Sequence, residues 1–170
     1  MSSYHFASAG PDESTVFGAC RPSPTSEAVN EWIAFMRERG IRRVCCLLTS
    51  DQMADYPLDL IHYYRHEFGS EDVLYAPIDD YHLAPRSTLD EKIIPFLRDS
   101  DEKSLPVVVH CWSGNGRTGH ILAAWLVRAR GMAAAQAIKV VEQSGRKPTE
   151  AVRAENATES ELHSLLSGSA

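Results

Sequence analysis

Val107-Val108-Val109-His110-Cys111-Trp112-Ser113-Gly114-Asn115-Gly116-Arg117-Thr118-Gly119 is the stretch that decides how this chain folds. Its three valines read as a buried strand, and Ile121, Leu122, Trp125 and Leu126 beyond it fall at helical spacing. The residues between form a loop that carries the chain from a strand end into a helix start. At that point the first backbone N–H groups have no partner within the helix, and aligned peptide dipoles leave partial positive charge, so anions are favoured. Gly114 and Gly116 let the backbone curl until successive N–H groups converge. Arg117 adds a permanently charged guanidinium that can clamp two phosphate oxygens. Cys111, six positions earlier, lies in the same positive field, which favours thiolate over thiol. The expected product is a nucleophile held beneath a bound phosphoryl group. A buried free cysteine beside an ordinary glycine turn would leave Arg117 and both glycines without a reason.

These ten residues, His110 to Gly119, resemble the His-Cys-x5-Arg-Thr signature of the protein tyrosine phosphatase superfamily. The Gly-x-Gly-Arg-Thr-Gly ending resembles its dual-specificity branch in particular. Rhodanese-type sulfurtransferases also have a cysteine loop, but His before Cys with Arg-Thr-Gly after it favours the phosphatases. The resemblance implies that Cys111 attacks phosphorus in line and forms a phosphocysteine intermediate, which water then hydrolyses. Arg117 and the loop from Trp112 through Ser113, Gly114, Asn115 and Gly116 would bind the phosphate. Thr118 would donate its hydroxyl toward the Cys111 sulfur; the structural alternative is a first-turn threonine bonded to backbone. His110 is expected to orient the loop as a buried neutral histidine, and Trp112 to pack under it. No metal or other cofactor is called for.

Cleavage of a phosphate ester expels an alkoxide or phenoxide that a positioned carboxylic acid can protonate. Tyr75-Ala76-Pro77-Ile78-Asp79-Asp80-Tyr81-His82-Leu83-Ala84-Pro85 follows the short strand signal Val73-Leu74 and reads as a surface loop bounded by prolines. In the resembled family the acid lies in a Pro-apolar-x-Asp loop with a later proline, which selects Asp80 and leaves Asp79 possible. Either aspartate could instead cap its own turn.

The whole chain agrees with this reading. Its 170 residues suit one domain, and 44% hydrophobic content can supply a core. A formal charge of −6 speaks against general nucleic-acid binding. Cys20, Cys45, Cys46 and Cys111 show no Cys-x-x-Cys spacing, and no signal peptide or long apolar span is evident. A free catalytic thiolate points to a reducing cytoplasm, away from membranes, and the chain is read as a monomer.

Strand and helix signals alternate along the chain. Val16-Phe17 reads as an edge strand, and Ser26 as the cap of a helix burying Val29, Trp32, Ile33 and Met36 and ending at Gly40. Val44 to Leu48 reads as a buried strand whose two cysteines face opposite ways. Pro57 suits the first turn of a helix reaching Phe68, and another helix spans about Ser87 to Arg98, with Pro95 either kinking it or ending it. Gly131 ends the signature helix, Ala134 to Val141 forms the next, and Thr158 to Leu166 the last. This order predicts an α/β fold: one domain over residues 1–170 with a central, mostly parallel four- to five-stranded sheet flanked by helices.

The loop's only charge is Arg117, which suits a substrate presenting a single phosphate, such as phosphotyrosine in a protein. A small-molecule, lipid or RNA 5′ phosphate is the alternative, and a binding module that does not turn over is a further one. Arg86, Arg146 and Lys147 read as solvated surface charges. Cys45 or Cys46 is the expected candidate to trap an oxidised Cys111 as a disulfide.

Overall fold

In a computed structural model, which describes residues 2–168, the chain forms a sheet of five strands in the order β1-β2-β5-β3-β4. The strands are β1 (Ala7–Ser8), β2 (Val16–Cys20), β3 (Arg43–Cys46), β4 (Val73–Tyr75) and β5 (Val107–Cys111). All neighbours are parallel except β1, which runs antiparallel to β2. The Val107–Val109 run is central because it is buried on both faces, as a continuous apolar strand must be. Val16-Phe17 is not the edge: β1 covers β2 on its outer side, so the edge belongs to a two-residue strand with little signal of its own.

The helices are α1 (Ser26–Glu38), α2 (Ser50–Met53), α3 (Leu60–Phe68), α4 (Arg86–Thr88), α5 (Ile94–Glu102), α6 (Gly116–Arg130), α7 (Ala134–Gln143), α8 (Glu150–Arg153) and α9 (Glu159–Ser167). One sheet face packs on α1 and α3 through Trp32, Met36 and Tyr64, and the other on α5, α6, α7 and α9. Val29, Trp32, Ile33 and Met36 are all buried, as their spacing predicts. Helix α1 is capped by Thr25 and not by Ser26: the Thr25 hydroxyl accepts the Ala28 N–H at 3.1 Å. Helix α3 starts at Leu60 with Asp59 as its cap, so Pro57 lies in the turn before it.

Pro95 does not end its helix. It sits in the first turn of α5, and a π-helical segment, Leu89–Ile93, joins α4 to α5 ahead of it. The Ile94 N–H reaches back five residues to the Leu89 carbonyl, a register shift that absorbs the bond Pro95 cannot make.

A buried carboxylate ties the sheet edge to α6. Glu13 accepts from the Thr15 N–H at 2.9 Å, the Val16 N–H at 3.1 Å, Trp125 Nε1 at 3.1 Å and Arg130 Nε at 2.9 Å. Burial opposes its ionisation, yet these bonds hold its carboxyl below the usual range. Glu13→Ala should therefore cost about 3 kcal/mol, because Arg130 and Trp125 lose a buried partner. Urea unfolding at pH 7 checks this.

Candidate active site

Each of the four parallel strands delivers a side chain or loop from its carboxyl end to one place. β5 ends in Cys111, β4 leads to Asp80, β3 leads to Gln52, and β2 ends beside Arg21. The centre of the site is the signature loop, and its backbone bonding explains its shape. The Cys111 carbonyl lies 3.3 Å from His110 Nδ1, and the Trp112 carbonyl accepts the Arg21 N–H at 3.3 Å. The Gly114 carbonyl accepts from Arg146 Nη1 at 2.6 Å. The Asn115 carbonyl accepts from the Gly119 N–H at 2.8 Å and the Lys147 N–H at 3.4 Å, and the Gly116 carbonyl lies 3.0 Å from His120 Nδ1. In a trans peptide the N–H points opposite to the carbonyl of the residue before it. Carbonyls drawn outward therefore turn the N–H groups of Trp112, Ser113, Asn115 and Arg117 inward, while the Gly116 N–H bonds the Glu150 carboxylate. Asn115 N–H also leans 3.3 Å from Ser113 Oγ. Asn115 makes no side-chain cap to α6, and beyond the Gly116 N–H, which bonds Glu150, the N–H groups of the first turn can meet an anion.

Gly114 is required by geometry. Its φ is +76°, and a Cβ there would lie 2.8 Å from the Ala19 backbone. Gly116 is required by its neighbour: a Cβ would lie 1.9 Å from Glu150 Oε2.

Cys111 is 2% exposed at the end of β5. Arg117, also 2% exposed, donates from Nη1 to Gln52 Oε1 at 2.8 Å and to the Ile78 carbonyl at 3.1 Å, and its Nη2 lies 3.2 Å from Asp80 Oδ1. Asp80 thus joins the arginine, and its Oδ1 also accepts the Tyr81 N–H at 3.1 Å, so it caps its own turn as well; Asp79 is likewise exposed, and its carbonyl accepts the His82 N–H within the loop. Among the described residues, Arg117 Nε and Thr118 Oγ1 are buried without a hydrogen-bond partner. Thr118 therefore does not bond to helix backbone, which removes the structural alternative for that hydroxyl.

His110 is fully buried, with Nε2 3.2 Å from the Tyr64 hydroxyl and its ring against Trp32. Burial, helped by the charges of Arg117 and Arg21, lowers its titration to about 4 and keeps it neutral. Trp112 packs beside the core and lies 3.3 Å beneath the Arg21 guanidinium.

Several participants were not legible as such in the sequence. Gln52 follows a Thr-x-x-Gln pattern that could have signalled a capping box. Its Oε1 accepts the Thr49 N–H at 3.2 Å, which aims the amide at Arg117. Arg146 is not a solvated surface charge: it is 2% exposed, holds the Gly114 and His5 carbonyls at 2.6 and 2.7 Å, and burial lowers it to about 10, leaving it charged at neutral pH. Glu150 rests on Gly116 beside Asp80, and desolvation followed by Asp80 repulsion raises its carboxyl.

Cys45 and Cys46 sit on opposite faces of β3, paired with Val109 and His110, and burial raises both thiols, that of Cys46 to about 12. The cysteine in register with Cys111 is Cys20 on β2, half-buried, and among the described residues no disulfide forms. No group of three His, Cys, Asp or Glu side chains suited to a metal occurs among the described residues.

Residues 17–131 match the family model described as the DSP-PTPase phosphatase of polymorphic toxin systems. The chain belongs to this family. By that description its superfamily is that of the protein tyrosine and dual-specificity phosphatases. Two uncharacterized proteins of Methanocaldococcus jannaschii are 42% identical over 52 residues and 40% identical over 88 residues. The first match spans 31% of this chain and 32% of the relative, the second 52% and 48%, so the chain spans half or less of these relatives. Similar solved structures include Tk-PTP in the active form, with TM-score 0.67 and 23% identity over 89% of this chain and 92% of that one. PTPMT1 in complex with PI(5)P gives TM-score 0.70 and 14% identity, covering 96% and 97%. Pseudomonas aeruginosa TpbA, in a cysteine-to-serine form in complex with pTyr, gives 0.56 and 16%, covering 89% and 85%. These likenesses establish the fold of the phosphatase. No described helix is long and apolar enough to cross a membrane.

Two expectations follow from the site. Arg146→Met should weaken competitive inhibition by inorganic phosphate about tenfold, since the Gly114 carbonyl loses its tether; an inhibition constant measured on the folded variant checks it. His110 and His120 are both neutral when folded and titrate near 4, against 6.5 for an unfolded histidine. The unfolded chain binds the extra protons, so stability is full above pH 6.5 and falls by about 3 kcal/mol per histidine as pH drops to 4. Urea midpoints across that window test it.

Proposed function

We propose that the enzyme hydrolyses phosphate monoesters on proteins, phosphotyrosine foremost, through a phosphocysteine intermediate on Cys111. The observation that carries this reading is the convergence of Cys111, the inward N–H groups and Arg117, with Asp80 at 3.2 Å from that arginine. Substrate phosphate takes up the loop N–H groups and Arg117, and the Cys111 sulfur attacks phosphorus opposite the leaving oxygen. Asp80, displaced from Arg117 by the phosphate, gives its proton to that oxygen. Ionised Asp80 then accepts a proton from the water that cleaves the sulfur–phosphorus bond, releasing phosphate and the thiolate. Thr118 Oγ1, buried and unpartnered among the described residues, supplies a donor for the sulfur when it leaves. Gln52 and the Ile78 carbonyl fix the arginine plane. A reducing compartment and a monomeric enzyme complete the proposal.

Charge supports a substrate with one phosphate. Within the loop Arg117 is the one charge, and Asp80 and Glu150 beside it offset the Arg21 and Arg146 guanidiniums that stand around the loop. The PTPMT1 structure with PI(5)P keeps a lipid phosphate as the second reading.

Aryl phosphate hydrolysis in chelator tests the mechanism. Cys111→Ser should lose activity by more than roughly a thousandfold, and Asp80→Asn by roughly a hundredfold for phenyl phosphate but far less for a dinitrophenyl ester, whose leaving group needs no proton. A phosphotyrosine peptide should be turned over faster than a phosphoserine peptide or phosphoinositide vesicles. Retained activity in Cys111→Ser overturns the mechanism; preference for the vesicles overturns the substrate class.

A further inference from the structure

His120 lies on α6, three residues beyond Arg117, and is 1% exposed. Both of its ring nitrogens are engaged. Nε2 accepts the Ala84 N–H at 3.0 Å, and Nδ1 lies 3.0 Å from the Gly116 carbonyl. A backbone N–H can only donate and a carbonyl can only accept, so one tautomer satisfies both: proton on Nδ1, lone pair on Nε2. A second proton would set Nε2–H against the Ala84 N–H.

The two groups that His120 joins belong to different parts of the site. Gly116 belongs to the signature loop. Ala84 lies four residues after Asp80, at the end of the aspartate loop. That loop's first half is pinned to the sheet side by the Ala76 N–H on the Cys46 carbonyl at 3.0 Å and the Ile78 N–H on the Leu47 carbonyl at 3.1 Å. Its second half passes through Tyr81, whose φ of +60° is costly for a residue with a side chain, and is 53% exposed there. Asn156 Nδ2 holds the Tyr81 carbonyl at 3.0 Å from an exposed position. Beyond Tyr81, among the described residues, the buried hydrogen bond that holds this half is the one from His120, while Arg117 meets Asp80 ahead of it.

We propose that His120 is a positioning residue that latches the aspartate loop onto the signature loop, so that Asp80 and Cys111 are held in one frame. The catalytic consequence rests on the role given to Asp80 above; the latch itself rests on the two hydrogen bonds. A neutral, desolvated histidine suits this task because it supplies an acceptor and a donor on opposite edges of a rigid ring, where a carboxylate would offer two acceptors and a lysine only donors.

Three substitutions separate its halves. His120→Gln can place an acceptor near Nε2, His120→Asn can place a donor near Nδ1, and His120→Ala keeps neither. Amide hydrogen exchange on the folded proteins should speed at least tenfold across residues 79–85 in His120→Ala and His120→Asn, less in His120→Gln, with β5 unchanged. In turnover, His120→Ala should lose about tenfold more rate with phenyl phosphate than with a dinitrophenyl ester, and should add nothing to the loss in Asp80→Asn. Should His120→Ala fail to fold, the same contrast is read between His120→Gln and His120→Asn. Unchanged exchange across the aspartate loop overturns the latch. So does an equal loss with both esters that adds to the Asp80 effect. Faster loop exchange in the variants of an enzyme whose wild type turns over neither ester supports the latch and sinks the catalytic reading instead.

Discussion

The carbonyl groups of the signature loop bond away from its centre, and the rest of the site depends on that. A loop with free carbonyls would turn some of them toward the anion, and each would repel it. Here the tethers come from separate parts of the chain: the Arg21 N–H from the end of β2, Arg146 and the Lys147 N–H from the segment before α8, and His110 and His120 from the flanks of the signature itself. Once the carbonyls are committed, peptide planarity aims the N–H groups inward without further instruction. The backbone of the anion site is then preorganised, and in the proposed mechanism the change on binding is that Asp80 leaves Arg117.

This constraint explains why so many polar groups are buried here. Arg117, Thr118, His110, His120 and Arg146 are each at most 2% exposed. Burying such groups unpaired is costly; His110, His120 and the Nη groups of Arg117 and Arg146 meet backbone or side-chain partners, while among the described residues Thr118 Oγ1 and the Nε atoms of both arginines do not. Gly18 on β2 belongs to the same arrangement, since a Cβ there would come within 2.8 Å of both Arg146 and Thr118. The floor of the loop is therefore a packed layer of side chains, and its small residues are set by what lies next to them.

Much of this was legible in the chain. The Val107–Val109 run, the glycine loop and the periodic residues after Arg117 each obey a local rule, and they specify strand, turn and helix start without reference to anything distant. The apolar stripe of α1 was legible for the same reason. Legibility failed where the controlling partner was remote. Val16 reads as an edge because its own residues say nothing of Ala7 and Ser8, and Arg146 reads as solvated because its partners are a carbonyl 32 residues away and another near the amino terminus. The Thr-x-x-Gln spacing of Gln52 speaks only of a helix cap and His120 belongs to no motif, so only their positions on the folded chain bring them to Arg117 and Ala84.

The sequence by itself determined a cysteine and an arginine on a strand-to-helix loop and the alternating elements that make the sheet parallel, because these follow from residue types at short spacing. Only the tertiary structure decided which of Asp80 and Asp79 meets Arg117, put Cys20 in register with Cys111, and gave Arg146 a buried role in place of a surface one. Those choices depend on strand register and on which side chains the crossovers bring to the carboxyl ends of the sheet, and distance along the chain does not encode them.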